Sequence, residues 1–100
     1  MNLYADVKRR TYEEVAELLS KNGHESVLEH IEDDGGRYRL KAPVQKISPL
    51  PTYRFALACT LVALGNFEQA ESIVSQPHRF IEPGWGDEIS RDLARAFCDD

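Results

Sequence analysis

From Thr11 onward, apolar residues recur at Tyr12, Val15, Ala16, Leu18 and Leu19, with Glu13, Glu14 and Glu17 on the opposite face. This spacing predicts an amphipathic helix lying on a core. Thr11 and Glu14 stand at capping-box spacing, and Asn22-Gly23 supplies a glycine to close the last turn. Residues 24–41 support two readings. His24 to Ile31 reads as a short helix with Val27, Leu28 and Ile31 on one face, followed by a strand. Equally, Asp33-Asp34-Gly35-Gly36 before the alternating Arg37-Tyr38-Arg39-Leu40-Lys41 reads as a β-hairpin turn. Both readings turn Tyr38 and Leu40 inward and Arg37, Arg39 and Lys41 outward.

Residues 42–51 hold three prolines, Pro43, Pro49 and Pro51, within a span of nine residues, which predicts an extended connector between two halves of one domain. With Thr52 as its expected N-cap, Tyr53 to Leu64 is apolar nearly all round, the pattern of a helix covered on most sides. Gly65 stops it. Asn66 and Gln69 then form a second expected capping box, ahead of a helix burying Phe67, Ala70, Ile73 and Val74. Two helices joined by two residues make an αα-hairpin. Pro77 ends the second helix, Pro83-Gly84-Trp85-Gly86 forms a loop, and Asp87 caps a last helix bearing Ile89, Leu93, Ala96 and Phe97. The expected fold is one mainly α domain over residues 1–100, with at most one short β-hairpin or strand near residues 27–41.

Composition narrows the function classes. With 42% hydrophobic and 29% charged residues in 100, the chain can bury one core, which excludes a disordered reading. Twelve Lys and Arg against 17 Asp and Glu give a net charge of −5, the wrong sign for direct binding along a nucleic-acid backbone. Most of the net negative charge falls in residues 51–100, which carry four basic and eight acidic residues, whereas residues 1–50 carry eight and nine. No apolar run approaches the roughly 18 residues of a membrane span, and Lys8-Arg9-Arg10 precedes no apolar signal-peptide segment. The chain therefore reads as soluble and cytoplasmic, with no membrane partner.

Leu57, Ala58 and Leu61, followed by Gly65, Phe67, Ala70 and Val74, resemble one tetratricopeptide repeat over about residues 52–76. Arg54 stands where the family has its first aromatic, Pro77 stands near its late alanine, and no second unit follows at a period of 34 residues. The resemblance implies a protein-interaction scaffold whose first helix lines a groove, at Arg54, Leu57 and Leu61. Gly23 to His30 also resembles a short segment of flavin-dependent thymidylate synthases. The arginine-rich motif of those enzymes is missing, and Glu25 and Ser26 read as a helix start.

No arrangement for catalysis or cofactor binding emerges. His24 and His30 are six residues apart and His78 is distant, which does not match helical metal-ligand spacing. Cys59 falls in the most apolar helix and Cys98 has no cationic neighbour in sequence, so neither reads as a nucleophile or a disulfide framework. The glycine pairs lack the Lys and Ser/Thr of a phosphate-binding loop.

The expected function is a non-catalytic protein-binding module: an adaptor, chaperone or inhibitor that occupies a partner's surface. Contact is expected at Arg54, Glu68, Glu71, Phe80, Trp85 and Glu88, where Trp85 is either an exposed anchor or a plug in the core. The alternatives are an acidic decoy mimicking nucleic acid, of the kind some phage inhibitors provide, and a nucleic-acid binder using Lys8, Arg9, Arg10, Arg37, Arg39 and Lys41. A second copy of the chain is a further candidate to cover the apolar helix.

Overall fold

The computed structural model describes residues 7–43, 46–47, 51–74 and 95–98. The fold is mainly α with one small two-stranded antiparallel sheet. Helix α1 (Tyr12–Lys21) begins with the capping box its sequence spells out. The Glu14 backbone N–H donates to Thr11 Oγ1 at 3.2 Å, and the Thr11 N–H donates to Glu14 Oε1 at 3.0 Å. Val15 and Leu19 are fully buried, while Glu13, Glu14 and Glu17 face solvent. Gly23, at φ +75°, ends the helix: its N–H reaches Ser20 O and that of His24 reaches Leu19 O. That pair of bonds is a Schellman closure, and it requires the left-handed residue that glycine supplies at no steric cost.

Residues 24–41 realise parts of both sequence readings. A 3₁₀-helix (Glu25–His30) is followed directly by the hairpin β1 (Ile31–Asp34) and β2 (Arg37–Leu40). Gly35 and Gly36 both have positive φ, +64° and +88°, as a two-residue type I′ turn demands. Asp33 Oδ1 accepts from the Gly36 N–H at 2.7 Å and fixes the turn. The strands pair Ile31 with Leu40 and Asp34 with Arg37. Ile31 is buried, and Tyr38 and Leu40 pack partly buried against the core, while Arg37, Arg39 and Lys41 face outward.

Helix α2 (Pro51–Ala63) is the centre of the core. Every residue from Arg54 to Leu64 is buried. Leu57 and Leu61, one turn apart, are among its largest fully buried side chains, each worth about 1.5–3 kcal/mol of transfer free energy. Its buried hydroxyl is satisfied within the helix, where Thr60 Oγ1 donates to Ala56 O at 2.8 Å. One boundary differs from the sequence reading. Pro51 is the first helical residue rather than the end of a connector, a position where its missing N–H is not needed, so Thr52 lies inside the first turn instead of capping it. Two contacts are described within the expected connector. Lys46 N–H turns back to Pro43 O, and Ile47 is buried in the core.

Gly65, at φ +95°, closes α2 with a second Schellman pair, Gly65 N–H to Val62 O and Asn66 N–H to Leu61 O. Helix α3 (Phe67–Val74) then runs back along α2, burying Ala70 and Ile73. Phe67, expected in that stripe, is 45% exposed. As the first residue of α3 it projects over the turn preceding it, beyond the end of α2. Of the expected last helix, residues 95–98 are helical with Phe97 fully buried; Asp87, Ile89 and Leu93 lie outside the described residues.

Two outcomes follow from this packing. Replacing Leu61 by Ala should lower the unfolding free energy by about 2–5 kcal/mol in urea denaturation, the usual cost of a leucine-sized cavity. The second concerns pH. The Glu14 carboxyl is held below the usual glutamate range, chiefly by the Thr11 backbone N–H and then by the Thr11 side chain. Because its folded pKa lies below its unfolded one, its contribution is complete above the ordinary glutamate range and is lost as pH falls through the folded value. The stability difference between wild type and Glu14→Ala should therefore shrink across that acidic window and be constant near neutrality, as a pH series of denaturation curves would show.

Candidate functional surfaces

Asn66 is the junction of the two halves. Its Oδ1 accepts from the Gln69 N–H at 3.0 Å, the expected helix cap. The return half of the expected box is redirected. The Asn66 backbone N–H is already committed to closing α2, so Gln69 Oε1 instead accepts from Asn66 Nδ2 at 2.9 Å and from the Leu40 N–H at 2.8 Å. Asn66 Nδ2 also donates to Tyr38 O at 3.0 Å. Two side chains that read locally as a cap therefore also fasten β2 to the α2–α3 turn.

The basic residues of the N-terminal half divide in the same way. Arg10 turns inward: its Nη2 donates to the carbonyls of Ala96 and Phe97 at 3.2 and 3.3 Å, while its backbone N–H reaches Ala63 O at 2.9 Å. Lys8 N–H adds a bond to Phe97 O at 3.2 Å. Residues 8–10 thus join α2 to the helical residues 95–98, and a guanidinium on helix carbonyls is favourable electrostatically. Arg39 is neutralised across the hairpin by Glu32 at 2.9 Å and Asp34 at 3.5 Å, which raises its pKa, first through the Glu32 hydrogen bond. Arg9 and Arg37 converge instead on one cleft of about 400 Å³, shared with Gly36, Tyr38, Leu64, Gly65 and Asn66. The sequence grouped these cations by charge alone. Only the hairpin fold brings positions 9 and 37 together and separates 10 and 39 from them.

The expected contact residues are placed as follows. Arg54 is 6% exposed, and its Nη2 donates to Ile47 O at 3.1 Å; burial lowers its pKa. Leu57 and Leu61 are fully buried with it, so the positions that would line a groove in a repeat array are covered here by the chain's own core. Glu68 and Glu71 are exposed on α3, beside the exposed Phe67. Phe80, Trp85 and Glu88 lie outside the described residues. The exposure of Phe67 was not legible from its helical spacing, which matches that of a buried residue.

Among the remaining reactive groups, burial raises the Cys59 thiol pKa well above its ordinary value, with the neighbouring Cys98 adding to the shift. Cys98 is half-buried. His30 meets the Tyr53 ring edge-on at a centroid distance of 5.8 Å, and Tyr53 Oη donates to Ser26 O at 3.4 Å; both contacts dock the 3₁₀-helix on α2. Tyr12 and Tyr38 stack with ring centroids 5.5 Å apart, beside a smaller hollow lined by Ile31 and Asp33. Among the described residues, no three His, Cys, Asp or Glu side chains converge as metal ligands, and no helix is long and apolar enough to cross a membrane. No protein-family model, curated protein or solved structure matches the chain.

Arg10→Ala should cost about 1.5–3 kcal/mol of stability, as loss of charged hydrogen bonds does, while Arg9→Ala should stay within about 0.5 kcal/mol. Paired urea titrations would reveal the difference. Under native conditions a thiol reagent should label Cys98 and leave Cys59 protected until the protein is unfolded, which mass spectrometry of the labelled peptides would show.

Proposed function

We propose that this protein is a non-catalytic protein-binding module that presents the outer face of α3 to a basic, apolar-bearing segment of a partner. The observation that supports this most is the exposed Phe67, flanked on the same short helix by exposed Glu68 and Glu71. An aromatic anchor rimmed by charges is a common arrangement at interface hot spots, where the ring supplies affinity and the charges set orientation and approach rate. A partner segment carrying Lys or Arg on either side of an apolar residue would complement it.

Several acidic groups among the described residues are engaged within the fold, which favours local recognition over wholesale charge mimicry. Glu14 is engaged in a helix cap, Asp33 in the hairpin turn, Glu17 with Lys21, and Glu32 and Asp34 with Arg39. Glu17, Glu32 and Asp34 are each partly offset by the cation they pair with. Glu68 and Glu71 are the acids beside an exposed aromatic, which is the combination that binding needs.

Affinity capture from the native host should recover a partner with wild type. Phe67→Ala should weaken that capture, and the charge reversal Glu68→Lys/Glu71→Lys should weaken it further, each by about tenfold or more. Retention should fall only moderately between low and high salt, because the aromatic contact is insensitive to screening. A partner held equally by all variants would refute this surface, and one released entirely by moderate salt would favour the charge-mimic alternative.

A further inference from the structure

The cleft between the hairpin tip and the α2–α3 turn has no part in the surface proposed above. Arg9 enters it from the segment before α1, Arg37 from the first residue of β2, and Gly36, Tyr38, Leu64, Gly65 and Asn66 complete its lining. Neither the Arg9 nor the Arg37 guanidinium has a hydrogen-bond or ion-pair partner among the described residues. The two hairpin aspartates before the turn have contacts of their own. Asp33 accepts from the Gly36 N–H, and Asp34, directly across from Arg37 in the register, is drawn to Arg39. Asp33 also borders the separate hollow beside Tyr12. Two guanidiniums without an ion-pair partner among the described residues therefore line one concavity.

Gly65 makes this arrangement sterically possible. A Cβ at that position would stand 2.9 Å from Arg9 Cζ and about as close to both terminal nitrogens, so the guanidinium lies directly against the backbone of the turn. The same glycine has the positive φ that closes α2. One residue thus sets both the helix end and the seat of Arg9. Backbone donors do not compete for a ligand, because the N–H groups of Gly36, Gly65 and Asn66 and both Asn66 Nδ2 hydrogens are already bonded within the protein.

We propose that this cleft binds the phosphate group of a small phosphomonoester of about mononucleotide size, held by Arg9 and Arg37. Two planar, permanently charged forks match the several oxygens of a phosphate dianion, whereas one fork already saturates a carboxylate. A volume of about 400 Å³ lies within the range of small-molecule sites and leaves room for more than a bare ion.

The test is a titration of the full chain with AMP at low salt, followed by ¹H–¹⁵N NMR, with adenosine and a short single-stranded RNA as parallel probes. AMP should shift the amides of Gly36, Gly65 and Asn66, and adenosine should not. Arg9→Ala and Arg37→Ala should each weaken AMP binding by about tenfold while the remaining resonances stay in place, with Arg37→Gln as a second variant should either Ala replacement disturb the fold. The proposal fails if millimolar AMP leaves these amides unmoved, if adenosine shifts them equally, or if the arginine variants bind as well as wild type. It also fails if only the RNA produces the shifts, which would make the surface a nucleic-acid contact instead.

Discussion

Helix α2 has no polar face, and the rest of the architecture answers that constraint. Eleven consecutive residues, Arg54 to Leu64, are withdrawn from water, so cover must come from every direction. It is drawn from along the whole chain: Val15 and Leu19 of α1, Val27 of the 3₁₀-helix, Ile31 at the start of the hairpin, Ile47, Ala70 and Ile73 of α3, and Phe97. A chain of this length has few spare apolar residues. The two buried polar side chains described in this helix are tolerated because each has a carbonyl within reach, Thr60 on Ala56 and Arg54 on Ile47.

Covering a helix on all sides with short elements demands tight junctions. The same Schellman closure at Gly23 and at Gly65 turns the chain within two residues, and the I′ turn at Gly35-Gly36 does so for the hairpin. Asn66 and Gln69 then connect the hairpin edge to the helical turn, satisfying backbone groups of Tyr38 and Leu40 that would otherwise lie at the end of a two-stranded sheet. Such a sheet is marginal alone, and this attachment, together with Ile31, Tyr38 and Leu40 packed on the core, makes it part of the domain.

The two surfaces singled out above are consequences of where that cover ends. Phe67 lies past the end of α2, so a side chain that belongs by spacing to the buried stripe stays 45% exposed beside Glu68 and Glu71. Arg9 and Arg37 face a hollow left where the hairpin tip meets the α2–α3 turn, two places at which glycines keep the walls low. Recognition at either surface would use material that the core does not need.

Much of the fold was legible locally. The capping box at Thr11 and Glu14, the stops at Gly23 and Gly65, and the apolar run of α2 each follow from interactions spanning about four residues or from uninterrupted hydrophobicity, which a sequence displays directly. For residues 24–41 the sequence offered a helix or a hairpin, and the chain uses a 3₁₀ turn and then the hairpin, because turn chemistry at Asp33 to Gly36 and apolar spacing at Val27 to Ile31 act on different residues. The surfaces were legible only in part. Burial of Arg54, exposure of Phe67, and the division of the basic cluster into Arg10 on helix carbonyls, Arg39 on Glu32, and Arg9 with Arg37 at a cleft all depend on contacts between residues far apart in the chain. Periodicity and composition determine which side chains seek cover or charge. Which of them obtains it is decided by the distance between elements once they pack, and that distance exists only in the tertiary structure.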